Sequence, residues 1–106
     1  MLAKRTRITK NARREMILAA AYQLAETKGY KDFSCLEVCA RVGCTHTLVF
    51  HHFQSMEGLQ KAVMLLAIRL SNAAIVLQGL VSRDPFALCA PEELRDEAKA
   101  ILNLEG

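Results

Sequence analysis

The stretch EVCARVGCTHTLVFHHF, residues 37–53, places a glycine between two short segments with helical spacing. Ser34 and Thr45 are good N-cap residues for helices that end near residues 41 and 52. Gly43 can adopt the left-handed backbone that a sharp turn between two helices requires. The pattern therefore predicts a helix-turn-helix unit.

The surrounding sequence predicts helices and no strands. Asn11 can cap a first helix over residues 11–28, which Gly29 would end. Ser55 can cap a fourth, and the apolar residues that follow it at helical spacing predict one long helix ending near Gly79. Two short helices are expected after the Asp84-Pro85 and Ala90-Pro91 pairs. We therefore predict an all-α chain of four to six helices.

Positive charge is concentrated in the first part of the chain of 106 residues. Residues 1–61 carry ten Lys or Arg against five Asp or Glu, a net +5, whereas residues 62–106 carry four against six, a net −2. An excess of this kind favours a polyanionic partner for the first part, although a solvated, frayed terminus would also explain the basic start. The absence of a secretory signal pattern favours a cytoplasmic location.

The segment over residues 62–81 has about the length of a membrane span. Arg69, Ser71 and Asn72 stand in its middle, where a charge costs about 2.5–3.5 kcal/mol on insertion scales. We therefore expect a helix buried in an assembly rather than in a membrane.

The register of the whole region resembles the DNA-binding domain of TetR-family transcriptional regulators. The segments that carry the resemblance are ILAAAYQLAETKGYKDFS, EVCARVG, CTHTLVFHHF and SMEGL, which together cover about residues 17–63. The resemblance implies a three-helix domain whose third helix enters the DNA major groove. It divides the chain into a basic arm over residues 1–10, a DNA-binding domain over residues 11–54 and a helical dimerisation segment over residues 55–106.

The resemblance also implies the residues that contact DNA. Ser34 would cap the second helix and touch phosphate, Thr45, His46 and Thr47 would open the recognition helix, and His51 and His52 would approach the DNA backbone. In the arm, the basic residues could add phosphate or minor-groove contacts. The DNA-binding residues predicted are Ser34, Thr45, His46, Thr47, Phe50, His51, His52, Lys4, Arg5, Arg7 and Lys10.

Three positions depart from the family pattern. Phe50 stands where the family commonly has a Tyr whose hydroxyl bonds phosphate, Met56 where a Lys opens the fourth helix, and Leu48 where Thr is common. Each change exchanges a polar contact for an apolar side chain. They favour an alternative function, an interaction module or antagonist that keeps the fold but has lost specific DNA binding.

Cysteine and histidine are dense in residues 35–52, which raises the question of a metal site. The resemblance places Cys35, Cys39 and Cys44 where the family carries small apolar residues, and a free Cys packs as a small hydrophobe. Cys35 and Cys39 could meet on one helical face, but the other spacings do not fit a zinc pattern. We therefore predict no metal or cofactor, with a metal site or a redox-sensing Cys as the alternatives.

The remainder of the chain is short for the family, whose members carry a large helical domain that binds an inducer and dimerises. About forty residues are too few to enclose a drug-sized ligand, so we expect no small-molecule inducer. We predict a homodimer on double-stranded DNA, or else a protein partner. The dimerisation residues predicted are Leu66, Leu70, Ala73, Leu77, Leu94 and Ile101.

Catalysis has little support in the sequence. There is no Gly-rich phosphate loop, and no motif places a Ser or Cys nucleophile beside a base. Cys44 near His46 is the one candidate pair. We therefore predict a transcriptional regulator, most simply a repressor, and not an enzyme.

Overall fold

The computed structural model describes residues 9–105, with side chains as far as Leu102. Over this range the chain is all-α, without strands. There are seven helices in order along the described chain: α1 (Lys10–Lys28), α2 (Cys35–Val42), α3 (His46–Phe53), α4 (Met56–Arg69), α5 (Ala73–Val81), α6 (Pro85–Leu88) and α7 (Glu92–Glu105).

The helix-turn-helix unit forms as the sequence predicts, because its local signals are all satisfied. Ser34 accepts a hydrogen bond from the backbone N–H of Glu37, and the Glu37 carboxylate accepts one from the backbone N–H of Ser34, a capping box. Gly43 ends α2 in the left-handed conformation, with φ 78°. Thr45 caps α3 by accepting from the backbone N–H of Leu48. Two short helices are thereby fixed on either side of the turn.

The first helix begins earlier than predicted. Thr9, not Asn11, is the N-cap, since its side chain accepts from the backbone N–H of Ala12. Asn11 lies inside the first turn of α1 and is exposed. Gly29 ends the helix at φ 111°, a conformation that favours glycine.

The predicted long helix to Gly79 is wrong, because the chain breaks between α4 and α5. Ser71 has a positive φ of 58°, and the Asn72 side chain accepts from the backbone N–H of Ile75, so that a new helix starts there. The Asn72 amide also donates to the Tyr22 hydroxyl at 2.8 Å and to Glu26 at 3.3 Å. The break is thus tied to α1, and it raises the helix number above the predicted maximum of six.

One core joins the DNA-binding unit to the rest of the chain. Ile17, Val38, Val49, Leu59 and Val63 come from the first four helices and are fully buried. Burying an aliphatic side chain of this size contributes about 1.5–3 kcal/mol. Since α1 packs on α2 and on α4, the orientation of α2 and α3 depends on both.

The last three helices extend this core. Asp84 caps α6 with Pro85 in its first turn, as predicted, whereas α7 begins at Glu92, one residue after the predicted start at Pro91. Ile75, Val76, Leu94 and Ala98 are buried where α5 packs on α7. Among the described residues no helix is both long and apolar enough to cross a membrane.

Candidate nucleic-acid interface

The first turn of α3 presents a row of polar side chains to solvent. Thr45, His46 and Thr47 are all exposed, while Val49 in the next turn is fully buried. The helix is therefore anchored by its inner face and open at its N-terminal end. In a helix-turn-helix unit, this end of the second helix meets the base edges.

Thr45 is exposed and is also the N-cap of α3. Its hydroxyl oxygen accepts from Leu48 N–H at 3.2 Å, which leaves the hydroxyl proton free to donate. A hydroxyl can serve as a cap and as a donor to phosphate or a base at the same time. Thr45 can therefore hold the helix and contact DNA without reorganising.

The Ser34 hydroxyl both accepts and donates a hydrogen bond within the capping box. Its Oγ accepts from Glu37 N–H at 3.2 Å and donates to the Glu37 carboxylate at 3.1 Å. Glu37 is also paired with Lys28. The pairing with Lys28 and the hydrogen bonds from Ser34 lower the pKa of the Glu37 carboxyl. Capping is therefore the role that the geometry shows for Ser34, and its predicted contact with phosphate stays a prediction.

The three apolar departures from the family pattern pack partly inside the protein. Leu48, Phe50 and Met56 are half-buried and lie against the core. The Phe50 ring lies 6.5 Å from the His46 ring, centroid to centroid, one turn away on α3. The Phe50 ring is therefore a neighbour of the His46 imidazole, and it has no group that could hydrogen-bond to DNA.

The end of α3 carries an adjacent pair of histidines. The rings of His51 and His52 lie edge to face with centroids 5.3 Å apart. Desolvation, followed by the positive charges of His51, Arg14, Lys10 and Arg13, lowers the pKa of His52. Burial first, and the neighbouring positive charges second, therefore favour the neutral form of His52 in the free protein.

Those basic groups come from the start of α1, which packs against the end of α3. The Arg14 guanidinium lies over the Phe53 ring, 4.6 Å from its centroid. Lys10 and Arg14 are exposed, and Arg13 is half-exposed. Arg13 and Arg14 were not among the predicted DNA-binding residues, because the sequence does not reveal which part of α3 they approach. Of the predicted arm residues only Lys10 is described; Lys4, Arg5 and Arg7 lie outside the described residues.

The cysteines of α2 are core residues, as predicted. Cys35 and Cys39 are each 7% exposed, and Cys44 in the turn is half-buried against the core. Burial raises the pKa of all three thiols. Because the thiolate is the reactive form, these groups are poorly reactive at neutral pH.

The structure also places His46 against these thiols, which the spacing in the sequence did not predict. The side-chain ligand atoms of Cys35, Cys39 and His46 all lie within 4.8 Å of one another. Within the described residues this group is the one set of His, Cys, Asp and Glu side chains close enough to hold a metal ion.

The predicted dimerisation residues do not share one surface. Leu66 and Leu70 border a groove between α1 and α4, together with Leu18 and Leu65. Leu77 borders a different groove, beside the end of α1. Leu94 is only 4% exposed and lies in the protomer's own core, so it offers no surface to a partner. Of the other two, Ala73 and Ile101 are partly buried.

The larger of these two grooves has a volume of about 550 Å³ and lies open on the surface between the end of α1 and α5. Its apolar wall includes Leu77 and Val81. Gln78 also lines the groove, and its side-chain oxygen accepts a hydrogen bond from the backbone N–H of Tyr30 at 2.8 Å. This groove lies at the C-terminal end of α1, whereas Lys10, Arg13 and Arg14 lie at the N-terminal end of the same helix.

Comparison with known proteins agrees with the geometry of the first four helices. Residues 17–63 match the family model of bacterial regulatory proteins of the tetR family. The comparison with curated proteins and that with solved structures each gave no match. The matched range includes most of α1, all of α2 and α3, the turn at Gly43 and α4 as far as Val63. The chain therefore carries, over residues 17–63, the helix-turn-helix DNA-binding domain of the TetR family of bacterial transcriptional regulators.

Proposed function

We propose that the protein is a repressor that binds an inverted-repeat operator as a homodimer. The observation that carries the proposal is the exposed polar first turn of α3 on a helix whose other end packs against the basic start of α1. On this proposal the base-reading side chains and the phosphate-binding charges contact the same duplex. That combination is what a DNA duplex requires, because phosphate contacts position a protein and base contacts give it specificity.

The proposed division of roles follows from side-chain chemistry. His46 and Thr47 would contact base edges in the major groove, where a good contact contributes about 1–3 kcal/mol of discrimination. Lys10, Arg13 and Arg14 would contact phosphates and contribute affinity without sequence preference. Bound at a promoter, such a protein would exclude the polymerase, so occlusion is the mechanism we propose.

A homodimer is proposed because single helix-turn-helix units read only a half-site. Two-fold symmetry would pair two half-sites about one helical turn apart, or a multiple of that distance. The α1–α4 groove is the surface we propose for the second copy, since Leu65 and Leu70 are 43% and 57% exposed beside it. Leu66 of the predicted set lines the same groove.

The remaining proposals concern what the protein does not need. We propose regulation without a small-molecule inducer, with switching through protein concentration or through a protein partner. We propose a cytoplasmic, non-enzymatic role, and the division into an arm, a DNA-binding domain and a dimerisation segment remains a prediction.

The second candidate function is a protein-interaction module that keeps the fold but has lost specific DNA binding. The partial burial of Leu48, Phe50 and Met56 weakens it, because it gives their apolar character a role in folding.

Selection from a random duplex library tests the proposed function directly. The purified full chain would be mixed with the library, and the bound duplexes would be sequenced after several rounds. Our proposal predicts enrichment of an inverted repeat, and a variant with both His46→Ala and Thr47→Ala should lose that enrichment while still retaining duplex. Recovery of unenriched sequences by the unaltered chain would contradict sequence-specific binding and favour the interaction module.

A further inference from the structure

Three ligand atoms of soft or borderline character converge where α2 meets α3. Cys35 and Cys39 lie one turn apart on α2, with their Sγ atoms 3.9 Å apart. The imidazole of His46, the first residue of α3, completes a group whose ligand atoms all lie within 4.8 Å of one another. Neither cysteine is in a disulfide. Thiol and imidazole groups are the ligands that Zn²⁺ prefers in proteins.

The spacing of these atoms is close to that of a tetrahedral zinc site. With Zn–S bonds of about 2.3 Å, two thiolates of a tetrahedron lie about 3.8 Å apart. With a Zn–N bond of about 2.0–2.1 Å, the nitrogen lies about 3.5 Å from each sulfur. The two sulfur atoms of α2 already have this separation. The His46 nitrogen must come closer to the sulfur atoms by about 1.3 Å at most, from 4.8 Å to about 3.5 Å. Because this side chain is exposed, a rotation can supply that movement.

Cys44 is the nearest candidate for a fourth ligand, although its thiol is not among the three ligand atoms that lie within 4.8 Å of one another. It lies in the turn between the two helices, and its thiol is near enough to hydrogen-bond with the Cys39 thiol. Three thiolates and one imidazole around Zn²⁺ carry a net charge of −1. Arg13 on α1 supplies a compensating positive charge to the Cys44 side chain. A movement of the turn that brings the Cys44 thiol to the bound ion would complete a Cys₃His set with a neighbouring cation.

We propose that Cys35, Cys39, Cys44 and His46 bind one Zn²⁺ ion at the junction of α2 and α3. The step is coordination without redox change: each thiol releases its proton to water as its Zn–S bond forms, and the imidazole coordinates in its neutral form. The site goes beyond the proposed function and does not depend on it, because it would bind the ion whether or not the protein binds DNA.

Zinc would affect the turn at the centre of the DNA-binding unit. It would tie the first residue of α3 to α2 and draw the His46 imidazole away from solvent. An imidazole that ligates the metal cannot also read a base edge. By linkage, an operator contact made by His46 would weaken zinc binding by the same factor as zinc weakens that contact.

Cobalt substitution tests the site on the reduced full chain. Tetrahedral Co²⁺ with thiolate ligands gives a sulfur-to-metal charge-transfer band and intense visible bands, neither of which Co²⁺ in water gives. We expect both bands to saturate at one Co²⁺ per chain and to disappear when Zn²⁺ is added. Cys89→Ser is the matched control, because Cys89 is an exposed free cysteine at the end of α6 and does not belong to the group at the α2–α3 junction. It should leave the spectrum unchanged.

Two kinds of variant decide the result. Cys39→Ser should weaken Co²⁺ binding by more than about tenfold, since even outer-sphere changes reach that size. His46→Ala provides a test in which folding is not at risk, because the side chain is exposed. It should shift the visible bands as water replaces nitrogen and should weaken Zn²⁺ binding. Circular dichroism would confirm the helical content of each variant.

A second readout follows from folding. Zn²⁺ that binds the native site should raise Tm, and His46→Ala should reduce that rise. The proposal is overturned if the unaltered chain shows no charge-transfer band at equimolar Co²⁺, or if His46→Ala leaves both the spectrum and the zinc affinity unchanged.

Discussion

The guanidinium of Arg14 lies 4.6 Å from the ring centroid of Phe53, which joins the start of α1 to the end of α3. This contact places a cation beside the recognition helix and fixes it there. Phe53 is buried and Arg14 is exposed. The Phe53 ring therefore packs in the core and also contacts the Arg14 guanidinium. The basic start of α1 is therefore packed against the C-terminal end of α3, the helix whose N-terminal end carries Thr45, His46 and Thr47.

Replacing Arg14 tests whether this surface contacts phosphate. Arg14→Gln should reduce the slope of log K against log salt by about 1, since one phosphate contact is lost. It should also reduce stability by about 0.5–1 kcal/mol through loss of the cation–π contact. Arg83→Gln is the control, because Arg83 is exposed in the turn between α5 and α6. Equal slopes for the two variants would contradict a phosphate contact at Arg14.

His46→Ala and Thr47→Ala should each relax sequence preference at one operator position. A loss of about 1–3 kcal/mol is expected for the preferred base and little change for the others. Competition binding with single-base operator variants measures this directly. Thr27→Ala, at the far end of α1, should alter neither affinity nor preference. If the α3 variants weakened binding to every duplex equally, the two residues would be phosphate contacts instead.

His52 should make DNA affinity depend on pH. Its pKa lies below the ordinary histidine value of 6.5 in the free protein, and a phosphate contact would raise it. The complex then binds more protons than the free chain, so affinity should increase as pH falls from 7 through the pKa of the complex. A pH titration of binding would show this, and His52→Gln should flatten it.

His52 should have the opposite pH effect on the stability of the free protein. Its pKa is lower in the folded chain than in the unfolded chain, so the folded state binds fewer protons. The contribution of His52 is therefore present above pH 6.5 and is lost as pH falls through the folded pKa. The free energy of unfolding, measured by urea denaturation, should fall less steeply with acid for His52→Gln than for the unaltered chain.

Gly58 is a test of the packing between α3 and α4. A Cβ on Gly58 would overlap the backbone carbonyl oxygen of Phe53, which cannot move without shifting the end of α3. Gly58→Ala should therefore destabilise by at least about 3 kcal/mol, the upper range for overpacking. Helix propensity alone predicts the opposite sign, a gain of about 1 kcal/mol. Urea denaturation distinguishes the two.

Gly43→Ala is the matched control for that prediction. Gly43 has φ 78° but open space around its Cβ position, so the cost is backbone strain without a clash. We expect about 1–2 kcal/mol. A loss as large as that of Gly58→Ala would mean that strain, and not the Phe53 contact, dominates at both positions.

The break at Asn72 gives a further stability test. Asn72→Ala removes a helix cap and the hydrogen bond to Tyr22, so it should cost roughly 1–3 kcal/mol. Asn11→Ala is the control, because Asn11 lies within α1 and not at its cap. It should leave stability unchanged or slightly higher. Equal costs would mean that the break is not held by Asn72.

Local signals made the helix-turn-helix unit predictable. Ser34, Gly43 and Thr45 each act on residues within four positions along the chain, so their effect can be read from sequence alone. The break after α4 could not be predicted in this way. The apolar pattern continues through Ser71, and the group that ties Asn72 in place is on Tyr22, fifty residues earlier.

The candidate site was predictable only where it depends on residues close together along the chain. The exposed side chains of the first turn of α3 follow from the helix register, and Cys35 and Cys39 follow from an interval of four on α2. The positions of Arg14 against Phe53 and of His46 against the two thiols depend on how whole helices pack. Spacing along the chain carries no information about those contacts.

The most direct measurement is fluorescence anisotropy of the full chain with a selected inverted-repeat duplex and with a scrambled duplex, each at two salt concentrations. Our account predicts tight binding of two chains to the inverted repeat, weaker binding to the scrambled duplex, and weakening of both by salt. The variant with both His46→Ala and Thr47→Ala should bind the two duplexes alike. Equal affinity of the unaltered chain for both duplexes would contradict the claim that α3 reads DNA sequence.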